Sequence, residues 1–214
     1  KNIAVTTNKK WAARLRIEQS AAITCVKPSG TVSQLVDSAS GIHPRFSYHY
    51  LRRVRSDKKD PLAVFMENKG FPVEQDVMSP ASSVFSFPVE APEGSVTVKQ
   101  VGAMQQLELW KAYQNHWCEH KPSITVYYTD DEFLQVAQWV WDNFDLCSGI
   151  SLLPVSDHVY QQAPYEEITI EQYKDAVASM PKNIDWEDLR DFEFEDNTTG
   201  SQELACVGGV CELP

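Results

Sequence analysis

Two cysteines stand near the end of the sequence, Cys206 and Cys211, separated by Val-Gly-Gly-Val. Two thiols joined by a glycine-containing spacer can close a small ring, so the pair can cycle between dithiol and disulfide. That chemistry needs access and an exchange partner. The stretch before them, Asn-Thr-Thr-Gly-Ser-Gln-Glu-Leu-Ala, is small and polar. It reads as a mobile tail with a reach of ~30 Å when extended. Two cysteines alone do not make a zinc site, which takes four ligands. Glu203 and Glu212 flank the pair, and nearby carboxylates disfavour a thiolate, so both thiols should titrate near or above ~8.5. The plain alternative is an inert tail with an accidental pair.

A second candidate is Lys-Pro-Ser-Gly-Thr-Val-Ser, residues 27–33. A turn placing Ser29, Gly30, Thr31, Val32 and Ser33 at a helix N-terminus offers backbone N–H groups to an anion, and a phosphate suits them. Gly30 permits close approach, and Ser29, Thr31 and Ser33 add hydroxyls. The segment is neither a P-loop nor a Gly-x-Gly-x-x-Gly fingerprint. Many such turns are capped by Ser and Thr and bind nothing.

A third group is His43, Arg45, Arg52, Arg53 and Arg55, interleaved with Phe46, Tyr48 and Tyr50. Basic and aromatic residues together can contact a nucleotide. The preferred reading is an extended strand whose arginines pair with carboxylates elsewhere. Cys25, Cys118 and Cys147 fall in apolar or helical patterns and are read as buried structural thiols. No metal site is expected.

The elements that must position these residues alternate. Apolar spacing predicts a helix over 8–21 with Trp11, Leu15 and Ile17 inward, a strand at 22–27, and a helix from Thr31. An extended basic stretch follows, then a helix over 61–70 stopped by Gly70. A strand over 82–92, the longest helix over 97–120, and a strand over 122–128 come next. A helix capped by Thr129 and Asp130, a strand over 148–155 and a helix over 169–180 complete the order. Alternating helices and strands signal an α/β fold, with parallel pairing as the default.

Charge is uneven. The net charge is −11, divided as +8 over residues 1–60 and −19 over 61–214. The acidic remainder argues against a nucleic-acid surface. No apolar run approaches the ~18 residues that span a bilayer, and no signal peptide is read. A cytoplasmic protein without membrane or nucleic-acid partners is expected.

Taken in order, "CVKPSGTVSQL", "GIHPRFSYHYLRRVR", "EHKPSITVYY", "SGISLLPVSDHVYQQAPY" and "TTGSQELACVGGVCE" resemble the C-terminal third of adenosylcobalamin-dependent ribonucleotide reductases. The match is to the monomeric type acting on ribonucleoside triphosphates. The resemblance implies the C-terminal strands and helices of a ten-stranded α/β barrel over 1–165, an acidic helical extension over 166–196, and a redox tail over 197–214. It implies thiyl-radical reduction of the substrate, with adenosylcobalamin as cofactor. Ser29 to Ser33 would hold the substrate's phosphates. Cys206 and Cys211 would relay reducing equivalents from thioredoxin or a similar reductant. The radical cysteine motif of the Asn-Pro-Cys-Gly-Glu type does not occur in this sequence. The chain is therefore expected to work with a missing N-terminal part of the same enzyme. Two alternatives stay open: a diphosphate-type reductase of the same superfamily, and a nucleotide-binding module without redox function.

Overall fold

The computed structural model describes residues 1–30, 32–155 and 161–194. Its elements are α1 (Asn2–Leu15), a 3-10 turn (Val32–Val36), β1 (His49–Asp57), α2 (Pro61–Asn68), β2 (Val73–Gln75), β3 (Ser82–Glu90), α3 (Ala103–His116), β4 (Ile124–Tyr128), α4 (Phe133–Asp142), β5 (Ile150–Pro154), β6 (Tyr165–Glu167), α5 (Ile170–Ser179) and a second 3-10 turn (Trp186–Asp191). They fall into two compact units. Unit 1 takes Lys1–Arg45 with Gly94–Asp157, and unit 2 takes Phe46–Glu93 with His158–Pro214.

Unit 1 is built on a β4–α4–β5 crossover. β4 and β5 pair in parallel, Ile124 beside Ile150 through Tyr128 beside Pro154, as a strand–helix–strand unit requires. Alternation along β4 turns Ile124 and Val126 into the core. There they meet Ala103, Leu107 and Trp110 of α3, Val136 and Trp139 of α4, and Ile42. Trp110 is fully buried, meets Trp139 edge-on at 6.3 Å, and donates its indole N–H to the Pro122 carbonyl at 3.2 Å. A polar handle satisfied in this way lets a large ring be buried without penalty. Gly149 precedes β5 because a Cβ there would stand 2.2 Å from the Pro122 carbonyl oxygen. Thr129 caps the turn ahead of α4 as expected, but its partner in the capping box is Glu132, not Asp130; Glu132 also accepts the Ala103 N–H at the start of α3.

Two expectations fail in the first 27 residues. The first helix spans Asn2–Leu15, not 8–21, because Arg16 turns left-handed (φ 57°) and its N–H closes on the Ala12 and Ala13 carbonyls. Ala12 is its buried residue, while Trp11, Leu15 and Ile17 stay exposed. Residues 22–27 are not a strand. They lie extended along 117–123, where Thr24 and Val26 carbonyls accept N–H groups from Glu119 and Ser123. Pro122 in the partner segment has no N–H, so no regular ladder can form.

Unit 2 carries a four-stranded sheet in the order β2-β3-β1-β6 with every pair antiparallel. The parallel default is corrected here. β2 returns directly into β3 through a tight turn in which Ser82 N–H donates to the Ser79 carbonyl, and a short connection permits only antiparallel pairing. α2 begins as the sequence demands: Asp60 accepts the Leu62 N–H at 2.8 Å and Pro61 occupies the first turn. Gly70, at φ 82°, follows its end. Ala63, Phe65 and Met66 pack on Phe85 of β3. Trp186 and Phe192 stack on Phe65, so the acidic segment after α5 is anchored by aromatic rings. The architecture is α/β, and among the described residues no helix is long and apolar enough to cross a membrane.

Candidate phosphate-binding turn and cysteines

The strip Ile23–Val26 delivers the candidate turn. Ile23 and Thr24 donate their N–H groups to one Glu119 carboxylate oxygen, at 2.9 and 3.3 Å. Thr24 Oγ1 donates to the Trp117 carbonyl at 2.5 Å. These bonds fix where Lys27 leaves the strip, and Lys27 Nζ reaches Ser123 Oγ at 2.8 Å.

Ser29, Gly30, Val32 and Ser33 then lie in one tight turn, and Thr31 is outside the described residues. Ser29 N–H donates to Ser40 Oγ at 2.9 Å, and Val32 N–H to the Ser29 carbonyl at 3.2 Å. Ser33 is buried, with its hydroxyl directed at the Gly30 carbonyl at 3.4 Å. Gly30 is left-handed (φ 56°), and a Cβ built on it meets no atom within 4 Å. Its N–H has no acceptor among the described residues. The expected helix from Thr31 is a five-residue 3-10 turn, which carries little of a helix dipole. Any anion affinity here rests on individual donors.

Sequence reasoning missed what holds the turn in place. Gly41 is left-handed (φ 62°), and a Cβ there would stand 2.8 Å from the Lys27 carbonyl oxygen. The 38–43 loop therefore presses on the start of the turn. Behind it sits His43. Its Nε2 accepts the Thr125 N–H of β4 at 2.8 Å. A backbone N–H can only donate, so the proton is on Nδ1, which donates to the Ser40 carbonyl at 2.6 Å. Burial holds the ring below its ordinary pKa, opposed in part by the Ser40 bond. His43 is thus a neutral pin between β4 and Ser40, not a member of a cationic patch. Its only sequence signal is its place three residues after a serine in a glycine-bearing loop.

Two of the arginines, Arg53 and Arg55, follow the ion-pair reading. Arg53 meets Glu166 at 2.5 Å, and Arg55 meets the buried Asp76 at 3.2 Å. Arg52 lies over the Tyr165 ring at 4.6 Å. The reading of three buried cysteines needs correction. Cys118 is buried, and burial pushes its thiol pKa up. Cys25 and Cys147 are only half-buried, because Cys25 lies on the irregular strip rather than in a sheet interior. Cys147 lines a cavity of about 190 Å³ with Val140, Ser148, Ile150 and Leu152. That volume is below the ~300–1,000 Å³ of small-molecule pockets, so a corrin does not fit there. Among the described residues no three His, Cys, Asp or Glu side chains cluster as metal ligands. Cys206 and Cys211 lie outside the described residues.

No protein-family profile matches the chain. It is 27% identical over 98% of its length to the adenosylcobalamin-dependent ribonucleoside-triphosphate reductase of Lacticaseibacillus paracasei, covering 29% of that protein. It is 30% identical over 88% of its length to the probable enzyme of that name from Dictyostelium discoideum, covering 25% of it. For the Euglena gracilis enzyme the figures are 32%, 79% and 24%. A crystal structure of a B12-dependent (class II) ribonucleotide reductase superposes with a TM-score of 0.70 and 24% identity, over 91% of this chain and 27% of the other. This last likeness is one of fold. The resemblance read from the motifs is borne out, and the chain spans between 24% and 29% of these relatives' length. Over nearly its whole length, the chain is a homologue of one part of the adenosylcobalamin-dependent ribonucleoside-triphosphate reductases.

Proposed function

We propose that the chain is part of the catalytic polypeptide of a ribonucleotide reductase that converts ribonucleoside triphosphates to 2′-deoxyribonucleotides. The observation that carries this reading is similarity along 98% of the chain to proteins named for that activity. In this reading its strands and helices complete a ten-stranded barrel with an N-terminal part supplied from outside this sequence, in the cytoplasm. Adenosylcobalamin belongs to the complete enzyme. The described cavity beside Cys147 is too small for it.

This chain's own contribution is to hold the substrate and to return electrons. The Gly30 N–H, without an acceptor among the described residues, and the hydroxyls of Ser29 and Thr31 bind the substrate's phosphates, with His43 and Ser40 keeping the turn in position. Substrate reduction leaves two active-site cysteines, outside this sequence, as a disulfide. One tail thiolate of Cys206 or Cys211 attacks that disulfide, expelling one active-site thiolate. The second tail thiol then displaces the other. The active site regains two thiols and the tail becomes a disulfide, which thioredoxin reduces in turn.

The turn is tested by Gly30→Ala in the complete enzyme. The new methyl meets no atom of the described residues beyond its chain neighbours within 4 Å, so in this reading it points into the space that the phosphate takes. The left-handed backbone adds roughly 1–2 kcal/mol of strain. KM for the triphosphate should rise about 5- to 10-fold with little change in kcat. An unchanged KM in a folded variant would remove the turn from the substrate site.

A further inference from the structure

Unit 1 contains a second pair of cysteines that the reductase reading does not use. Cys25 lies on the Ile23–Val26 strip and Cys118 just past α3, 93 positions apart in sequence. The backbone brings them together. Thr24 carbonyl accepts the N–H groups of Glu119 and His120 at 2.8 and 3.3 Å. The Trp117 indole donates to the Cys25 carbonyl at 3.4 Å. The Cys25 thiol is directed across the strip boundary to the Lys121 carbonyl, also at 3.4 Å. The Cys25 thiol is also among the groups that raise the Cys118 pKa, after burial. The two cysteines thus flank directly paired backbone, Thr24 with Glu119, and the Cys25 thiol points at the segment that carries Cys118.

We propose that Cys25 and Cys118 form a thiol–disulfide couple, oxidised by low-molecular-weight disulfides and distinct from the tail pair. Their exposure sets the order of events. Cys25 is half-open to solvent and Cys118 is buried. With oxidised glutathione, the Cys25 thiolate attacks one sulfur and expels one glutathione thiolate, leaving a Cys25–glutathione mixed disulfide. Cys118 loses its proton to solvent and attacks the Cys25 sulfur. The Cys25–Cys118 bond forms as the second glutathione thiolate leaves. Two protein thiols are oxidised and one glutathione disulfide is reduced to two thiols, so the exchange balances. Burial raises the Cys118 pKa, which makes the second step the slower one and faster at higher pH.

The new bond would tie the strip to residues 117–121 and so stiffen the approach to the turn at Ser29. The inference does not depend on that turn binding phosphate, nor on the tail being a shuttle.

The test uses the complete protein equilibrated in mixtures of reduced and oxidised glutathione, quenched in acid, alkylated and mapped by peptide mass spectrometry. The expected result is a cross-linked peptide joining Cys25 to Cys118, with Cys147 alkylated, and reversal by dithiothreitol. It should appear independently of any Cys206–Cys211 cross-link and persist in the Cys206→Ser/Cys211→Ser variant. In Cys118→Ala, Cys25 should accumulate as the glutathione adduct. Three results would each overturn the proposal: both thiols fully alkylated in oxidised glutathione alone, glutathione retained on Cys25 of the wild-type protein with Cys118 alkylated, or Cys25 joined to another cysteine. The wild-type map decides the matter even if Cys118→Ala fails to fold.

Discussion

Replacing Cys206 and Cys211 together by Ser in the complete enzyme should lower thioredoxin-driven turnover by about 100-fold or more, while a single turnover from pre-reduced enzyme survives. A serine hydroxyl cannot take part in disulfide exchange, so the variant loses its route for electrons and keeps its chemistry. Dithiothreitol is small enough to reach a recessed disulfide directly, and should restore slow multiple turnover. Rapid-quench counting of deoxyribonucleotide per enzyme, with each reductant, separates the two cases. Thioredoxin-driven turnover at wild-type rates would show that the pair is inert. On the sequence expectation that Glu203 and Glu212 disfavour the thiolates of the pair, the wild-type exchange rate should climb with pH up to ~8.5.

His43→Ala should have the next largest effect. It leaves the Thr125 N–H without its acceptor, at 2.8 Å in the wild type, and takes the ring donor from the Ser40 carbonyl, at 2.6 Å, which keeps only the residue 43 backbone N–H at 3.1 Å. Leaving such a group unpaired costs about 1–3 kcal/mol, and the loss falls at the point where Ser40 secures Ser29. A lower denaturant midpoint and a raised KM for triphosphate are expected together. The pH dependence has a definite sign. Burial depresses the His43 pKa in the folded chain, so the unfolded chain binds this proton more readily. Its contribution to stability is complete above the ordinary value of ~6.5 and is lost as pH falls below it toward the folded value. The wild-type urea midpoint should therefore fall between pH 7.5 and 5.5 more steeply than that of His43→Gln, which keeps a donor and an acceptor but cannot titrate there. Equal slopes would mean that His43 is not the neutral pin described here.

Much of this molecule was legible from periodicity and cap chemistry. β4, α4, β5 and α5 lie where the apolar spacing and Thr129 put them. Strand direction was not legible in unit 2, because it depends on a turn at Ser79–Ser82 that reverses the chain. The first helix was displaced because Arg16 adopts a left-handed conformation that no local residue preference announces. Residues 22–27 have the composition of a strand and lack a partner that can complete a ladder. At the site, Ser29, Gly30 and Ser33 could be found from their types, since donors and a permissive glycine announce themselves. Gly41 and His43 could not. Their roles come from contacts to Lys27 and Thr125, and the second of these is 82 positions away. The Cys25–Cys118 approach was hidden for the same reason: its origin is the pairing of Thr24 with Glu119.

The central claim is that this chain serves the reduction of ribonucleoside triphosphates. Its most direct test is chromatographic measurement of nucleotide products formed by the complete protein with adenosylcobalamin and dithiothreitol, offered tri- and diphosphates in parallel. The account predicts 2′-deoxyribonucleoside triphosphate, formed only when the cofactor is added. Reduction of diphosphates alone, or nucleotide bound and returned unreduced, would contradict it.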